Sequence, residues 1–575
     1  MRNTYFSTKK RLFAMFVAIA FIFFVIFLRL GYIQIVWGKK LQTRALEQWT
    51  RDLPVTADRG DITDTNGIVF ASSGTSYIVY VRPNSVSNHS LVAELLSQAL
   101  KLSYQDVYDK VTAKISENTI KRKITVEEAN LIRSYNLEGV YLAADTSREY
   151  VYGDFLSQVL GFVSSDNTGQ SGLEAYYDKY LRGVDGAILT PSDLVGKELE
   201  GESAYYTPPV SGLNVVTTID FRIQRVVENV LDLVMQGHSP KGARCIVVNP
   251  QTGEVLAMSS KPSVDLNNLP RDNIGELMAS TKNMLITDVY EPGSTFKVLT
   301  AAAMLEEYAR GNPKAHSASY VFPNNANFRI VDGSRVKCWT THTSSKHCNQ
   351  NLGDALNNSC NPIFTDIGLS LGKETMYKYL SAFGYGAVSG IDFAGEQAGL
   401  LVAESAVTNG DLARISFGQT IAVTPLQLAM ATSAAVNGGL LMQPYLVKEI
   451  RTQEGELVKK FYPTVRQRAI SEKVSRELAG LLENVVTNGS GKQAYIEGFK
   501  VGGKTGTAQK YENGHIAVGK YVSSFVGFFP ADNPQYLALM LVDEPTGAHY
   551  GSTVAAPYAK MIFQQIINYK NLKPA

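Results

Sequence analysis

The stretch EPGSTFKVLTAAAMLEE, Glu291 to Glu307, sets a serine and a lysine three residues apart at the mouth of an apolar run. Pro292 and Gly293 stop whatever precedes them, so Ser294 is expected in the first turn of a helix. Residues i and i+3 share one helix face, which lets Ser294 Oγ and Lys297 Nζ meet. A serine hydroxyl is a poor nucleophile until a base takes its proton. Lysine, with an unperturbed pKa of about 10.4, is a poor base at neutral pH. Desolvation, a neighbouring cation and the helix N-terminal dipole all lower that value. The pattern alone decides little, because Ser-x-x-Lys recurs at Ser7/Lys10 and at Ser334/Lys337. The second of these lies in a stretch expected to be a polar loop.

Two pieces further along the chain supply what acyl transfer still lacks. Ser359-Cys360-Asn361 closes NLGDALNNSCN, and Lys504-Thr505-Gly506 lies within GFKVGGKTGTAQK. Ser359 offers a second hydroxyl to relay a proton, and Asn361 an amide to grip a substrate peptide bond. Lys504, with the hydroxyls of Thr505 and Thr507, can hold a carboxylate. Gly506 permits close backbone approach to a ligand. If this segment is an edge strand, an extended peptide can add to it. Other Ser-x-Asn triplets, Ser116/Asn118 and Ser165/Asn167, precede the nucleophile and read as turns.

A chain of 575 residues is too long for one core; at roughly 150 residues per domain, two to four units are expected. A net charge of +2 gives no basic bias toward nucleic acid. Leu12 to Leu28, LFAMFVAIAFIFFVIFL, carries no charge, and apolar character resumes after Arg29 as far as Trp37. About 20 apolar residues span a bilayer. Arg2, Lys9, Lys10 and Arg11 before the run place the N-terminus in the cytoplasm. No Ala-x-Ala-like cleavage site follows, so the segment reads as a retained anchor. Four cysteines are too few for a disulfide scaffold.

Periodicity predicts a strand at Ser76–Val81 and helices at Leu91–Leu102 and Thr125–Tyr135, the latter N-capped by Thr125 with Glu128 three residues on. Beyond the turn signal TPPVSG (207–212), a strand end runs into a long helix over residues 218–235. Two strands flank the turn at 249–253, helices dominate from about 294 to 440, and strands return at 521–544 before a closing helix at 556–570. Strands at both ends of a domain with helices between them point to an α+β layout, an antiparallel sheet carrying helices.

The three motifs together resemble the serine acyl-transferases inhibited by penicillin. The match is wider than the motifs: most of residues 10–570 resembles a class B penicillin-binding protein. RGDITDTNG (59–67) and GQSGLEAYYDKYLRG (169–183) are similar to that family's non-catalytic pedestal. VVNPQTGEVLAMSSKPSVDLN, FGQTIAVTPLQLA (417–429) and FVGFFPADNPQY are similar to its transpeptidase domain. The resemblance implies a serine β-lactamase-like transpeptidase domain on an extended N-terminal pedestal, preceded by one transmembrane helix. The expected divisions are a cytoplasmic tail 1–11, anchor 12–37, dimerisation-type pedestal 38–212 and transpeptidase domain 213–575. It also implies that Ser294 attacks the penultimate D-alanyl carbonyl of a peptidoglycan stem peptide, with Lys297 as base. The backbone N–H groups of Ser294 and Thr507 are then the oxyanion hole, β-lactams the covalent inhibitors, and no cofactor is required for catalysis. No glycosyltransferase domain fits ahead of residue 213, which implies a polytopic membrane glycosyltransferase as partner.

KCWTTHTSSKHCNQ, Lys337 to Gln350, gathers Cys338, His342, His347 and Cys348, in a chain with only four cysteines and seven histidines. A tetrahedral Cys₂His₂ zinc site can use this set, although the spacing matches no standard finger. A disulfide from Cys338 to Cys348 or Cys360, or plain thiols, are the competing readings. Cys245 lies in an apolar strand and reads as core. A class A β-lactamase would need a deacylating glutamate in Glu-x-x-x-Asn, absent between Asn361 and Lys504. A D,D-carboxypeptidase and a scaffold that activates a glycosyltransferase are the remaining alternatives.

Overall fold

The computed structural model describes all residues except 1, 39, 42–49, 192–204, 324–325, 343–346, 513–514 and 575. At the N-terminus a single helix covers Arg2–Ile35. Its portion Lys9–Ile35 is long and apolar enough to cross a membrane and buries none of its side chains in the protein.

The chain divides into two compact units. The smaller comprises residues 1–58, 75–147 and 183–211; the larger comprises 59–74, 148–182 and 212–575. Two segments N-terminal to residue 212 are thus part of the larger unit.

In the smaller unit, the strand ending at Val81 pairs antiparallel with Asn118–Ile124, in the register Tyr77↔Ile124 and Val81↔Asn118. The helices His89–Leu100 and Val126–Ser134 share a core with them, built from Val79, Val81, Leu96, Leu100, Ile120 and Ile132. The second helix starts at the expected capping box. Glu128 N donates to Thr125 Oγ1 at 3.2 Å and Thr125 N donates to Glu128 Oε2 at 3.0 Å.

The larger unit is built on a five-stranded antiparallel sheet. Its order is Val255–Lys261, Gly242–Val248, Tyr536–Asp543, His515–Phe529, Gly502–Glu512. Side chains alternate across a strand, so Leu537, Leu539 and Leu541 enter one core while Ala538, Met540 and Val542 enter another. Both faces are covered, which is why this strand reads as an unbroken apolar run. On one face lie the helices Phe221–His238 and Ala556–Lys570, contributing Ile223, Val227, Val230, Leu231 and Val234, and Ala559, Ile562, Phe563, Ile566 and Ile567. That spacing is one stripe of a 3.6-residue period. Cys245 packs here with no exposed surface, as expected for a core residue.

On the other face, every residue from Lys297 to Glu307 of the helix Lys297–Ala309 is buried, as are all 12 residues of Pro425–Val436. An isolated helix apolar all round has no stable place in water; these are held by burial, at roughly 1.5–3 kcal/mol per large apolar side chain. The region expected to be mainly helical also contains a hairpin, Phe328–Val331 with Ser334–Lys337. Ser334 and Lys337 therefore lie on a strand, not in the expected polar loop, because the turn Asp332–Gly333 pairs the flanking residues.

Residues 59–67 and 169–183 meet inside the larger unit. Glu174, fully buried, accepts from Arg59 Nε and Arg148 Nε at 2.6 Å each, and Arg59 Nη1 reaches Asp178 at 2.7 Å.

Candidate active site

Ser294 lies in a single 3₁₀ turn, Gly293–Phe296, and Lys297 is the first residue of the α-helix that continues it. The tighter turn still brings the pair together: Lys297 Nζ donates to Ser294 Oγ at 3.2 Å. The same amine donates to Ser359 O at 2.8 Å, Ser359 Oγ at 3.1 Å and Asn361 Oδ1 at 2.7 Å. Ser359 has φ +53°, a region few non-glycine residues adopt. In that conformation its carbonyl and hydroxyl oxygens both accept from Lys297. Asn361 opens the helix Asn361–Leu371, and its amide donates to Lys337 O at 3.1 Å.

Lys504 comes from the opposite side, on the strand Gly502–Glu512 at the edge of the five-stranded sheet. Its Nζ donates to Ser359 Oγ at 3.1 Å and to Thr505 O at 3.2 Å. Thr505 Oγ1 donates to Ser490 Oγ at 3.2 Å, and Thr507 Oγ1 accepts from Gly551 N at 3.1 Å. Gly506 faces the turn that holds Ser294: a Cβ there would sit 2.4 Å from Ser524 Oγ and 3.0 Å from Thr295 Cγ2. Ser294, Ser359, Asn361, Thr505, Gly506 and Thr507 all line one open cleft of about 590 Å³.

Lys297 and Lys504 have no exposed surface. Burial pushes the Lys297 amine down to about 8, against an opposing pull from Cys338 and Cys360. Burial, then repulsion from Lys297, holds Lys504 well below the usual lysine range. An uncharged amine beside a hydroxyl is a competent general base.

The sequence motifs do not reveal what braces the nucleophile turn. Gly293 N donates to Gly418 O at 2.9 Å, and Thr420 N donates to Glu291 Oε1 at 2.8 Å. Gly418 has φ +86°, and a Cβ on it would lie 2.1 Å from Gly293 O. The available signals were the glutamate directly before Pro292 and the FGQT block, both of which lie outside the three motifs.

The cysteine–histidine cluster differs from the expected set in one member. The ligand atoms of Cys338, His342, His347 and Cys360 lie within 4.8 Å of one another, and Cys348 is not among them. His347 and Asn349, on either side of Cys348, have positive φ; the chain turns there and Cys348 stands apart. Cys360 instead enters from the helix cap that presents Asn361, with Sγ 3.8 Å from His342 Nε2. Among the described residues, which include all four cysteines, no disulfide forms. Hydrogen bonding from Cys360 pulls the Cys338 thiol down, and the same contact pushes the Cys360 thiol up. Two sulfurs and two imidazoles fit a tetrahedral zinc ion. Among the described residues, Nδ1 of His342 and Nδ1 of His347 are buried without a hydrogen-bond partner, which fits the same donor set.

A serine, a second serine and an edge strand line one cleft, with two buried lysines hydrogen-bonded to its wall. Two family models match the chain: the penicillin-binding protein transpeptidase domain over residues 243–567 and the penicillin-binding protein dimerisation domain over residues 54–217. The chain belongs to the class B penicillin-binding proteins. It is 39% identical to stage V sporulation protein D of Bacillus subtilis (strain 168), covering 100% of this chain and 88% of the relative. It is 26% identical to the peptidoglycan D,D-transpeptidase FtsI of Escherichia coli (strain K12), covering 95% and 89%. The fold is similar to that of a peptidoglycan synthetase from Bifidobacterium adolescentis, with a TM-score of 0.73 and 24% identity over 92% of this chain and 98% of that one.

Proposed function

We propose that this chain crosslinks peptidoglycan through an acyl-enzyme on Ser294. The observation that carries the reading is the buried Lys297 amine, 3.2 Å from Ser294 Oγ and lowered to about 8. Ser294 Oγ attacks the carbonyl carbon of the penultimate D-alanine of a stem peptide, and its proton passes to Lys297 Nζ. The backbone N–H groups of Ser294 and Thr507 receive the oxyanion. The C–N bond to the terminal D-alanine then breaks, and the leaving nitrogen takes a proton through the Ser359 hydroxyl. An amine from a neighbouring stem attacks the ester and loses a proton to Lys297; the new amide forms as the C–O bond to Ser294 breaks and Ser294 Oγ takes that proton back from Lys297. Asn361 holds the substrate amide; Lys504, Thr505 and Thr507 hold its terminal carboxylate; Gly506 lets the backbone approach. A β-lactam acylates the same oxygen and stays.

Residues 1–11 are assigned to the cytoplasm, 12–37 to a single membrane span, 38–212 to the pedestal and 213–575 to the transpeptidase domain outside. A polytopic membrane glycosyltransferase that polymerises the glycan is the assigned partner of the anchor and pedestal. Cys338, His342, His347 and Cys360 would hold a structural zinc ion, which supplies a crosslink between the hairpin side of the cleft and the Ser359–Asn361 segment; no step of the reaction passes through it.

The test is mass spectrometry of full-length protein exposed to a fluorescent penicillin. One adduct is expected, on the peptide containing Ser294, and none in Ser294→Ala. An adduct on another residue, or none on the wild type, overturns the reading.

A further inference from the structure

The larger unit contains a second cavity, of about 630 Å³, that shares no lining residue with the catalytic cleft. One wall is the run Tyr176–Tyr180. It is fixed from beneath by the Arg59–Asp178 ion pair and by the Tyr177 hydroxyl, which donates to Asp392 Oδ2 at 2.6 Å. The other wall is the strand Leu457–Lys460, which pairs on one side with Val447–Arg451, and the residues after it.

The side chains on these walls are unusual for a surface. Tyr176 is 46% exposed and Tyr462 68% exposed, so two large rings stand in solvent at one opening. Tyr180 and Phe461 line the same cavity, each with a lysine near its ring. Lys179 Nζ is 4.9 Å from the Tyr180 ring centroid, and Lys459 Nζ is 4.7 Å from that of Phe461 and 6.0 Å from that of Tyr180. Among the described residues neither lysine has a carboxylate within ion-pair distance, whereas Lys460 has Glu449 at 3.5 Å. Among the described residues, Asp392 is the one acid in the lining, and it is turned inward. Its oxygens accept from Leu446 N at 2.6 Å, Val447 N at 2.9 Å and the Tyr177 hydroxyl. The cavity therefore offers ring faces and positive charge, with its only negative charge already engaged.

That combination selects a ligand. An exposed tyrosine face is a flat apolar platform with a polar tip, suited to a pyranose ring with its apolar C–H face and hydroxyl rim. Lysines without acidic partners attract carboxylates held beside the ring. The volume lies within the range of about 300–1,000 Å³ that small ligands fill. We propose that this cavity binds the peptidoglycan glycan strand itself. The sugar rings stack on Tyr176 and Tyr462, and the carboxylates of the stem peptides attached beside the rings pair with Lys179 and Lys459. This rests on the reading of the chain as a peptidoglycan transpeptidase and extends it from the stem peptide to the polymer. Weak binding suffices, because a tethered second contact raises the local concentration of the reacting stems into the millimolar range.

The experiment uses full-length protein in detergent with Ser294 first acylated by penicillin, which closes the catalytic cleft. The probe is a disaccharide tetrapeptide, N-acetylglucosaminyl-N-acetylmuramyl with four stem residues, titrated calorimetrically. A neutral chitotetraose and the sugar-free tetrapeptide are the comparisons. The disaccharide tetrapeptide is expected to bind at least fivefold more tightly than either. Tyr462→Ala and Lys459→Glu are each expected to weaken it at least fivefold while leaving the rate of penicillin acylation unchanged, which also verifies their folding. Absence of binding, equal binding of the sugar-free peptide, or an affinity unmoved by both substitutions overturns the proposal. Equal binding of the neutral sugar overturns the role of the lysines. Failure of penicillin to acylate would instead strike the transpeptidase reading, and the titration is then run on Ser294→Ala protein.

Discussion

Lys297 Nζ and Lys504 Nζ share one acceptor, Ser359 Oγ, at 3.1 Å each. Two fully buried amines that close cannot both be charged at reasonable cost, because each repels the other's proton where water does not screen it. The shared hydroxyl therefore sits between two buried amines: burial lowers Lys297, and burial followed by repulsion from Lys297 lowers Lys504.

The pH dependence follows from the direction of the Lys297 shift. Burial lowers it to about 8, and only the neutral amine accepts the Ser294 proton. The second-order rate of penicillin acylation should rise roughly tenfold per pH unit below about 8 and flatten above it. Stopped-flow fluorescence with a labelled penicillin measures this; a rate independent of pH between 6 and 8 would count against Lys297 as the base. Lys297→Met should lose about 10²–10⁴-fold in the same assay.

Ser359→Ala removes the bridge between the two amines and leaves each without one of its acceptors. Acylation should fall by about 10²-fold or more, with the adduct still confined to Ser294. Intact-protein mass spectrometry over time separates slower acylation from lost acylation.

Gly506→Ala would push a methyl group to 2.4 Å from Ser524 Oγ and 3.0 Å from Thr295 Cγ2. The edge strand must then move off the nucleophile turn, at about 1–3 kcal/mol of overpacking cost. Acylation is expected to drop at least tenfold, whereas Gly519→Ala, with nothing within 4 Å, tests strain at its φ of +81° away from the cleft.

Glu174→Ala leaves Arg59 and Arg148 facing each other as buried guanidinium groups without their shared carboxylate. Removing one partner of a buried ion pair costs about 3–5 kcal/mol. Urea denaturation of the variant should show a loss of that order; a change below 1 kcal/mol would mean that the arginines find other acceptors.

Protein purified without chelator should carry one zinc ion per chain, measured by elemental mass spectrometry. Cys360→Ser should abolish that metal while Cys348→Ser leaves it in place, since Cys348 stands outside the four-residue group. The reverse pattern would restore the set expected from sequence spacing.

Local features were legible without coordinates. The anchor run, the Thr125–Glu128 capping box, the two-sided apolar strands and the serine–lysine spacing are all set by residues within a turn or two of each other. The three motifs follow one another along the chain, and residues of all three line one cleft. The hairpin beside the cleft escaped notice because its residues alternate weakly and its pairing depends on a turn at Asp332–Gly333.

By itself the sequence determined which groups are chemically able to act: a serine, two lysines, an amide and a small set of sulfurs and imidazoles. Tertiary structure alone decided which of them meet. The contacts of Lys297 with Ser359 and Asn361 join residues 62 and 64 positions apart, and that of Lys504 with Ser359 spans 145. Cys360 takes the place of Cys348 in the cysteine–histidine cluster for the same reason. Spacing along a chain fixes neighbours only within one helix turn or one strand pair, whereas contacts between distant residues are set by how the sheet and the buried helices pack. Burial, which lowers both lysines, also exists only once that packing is complete.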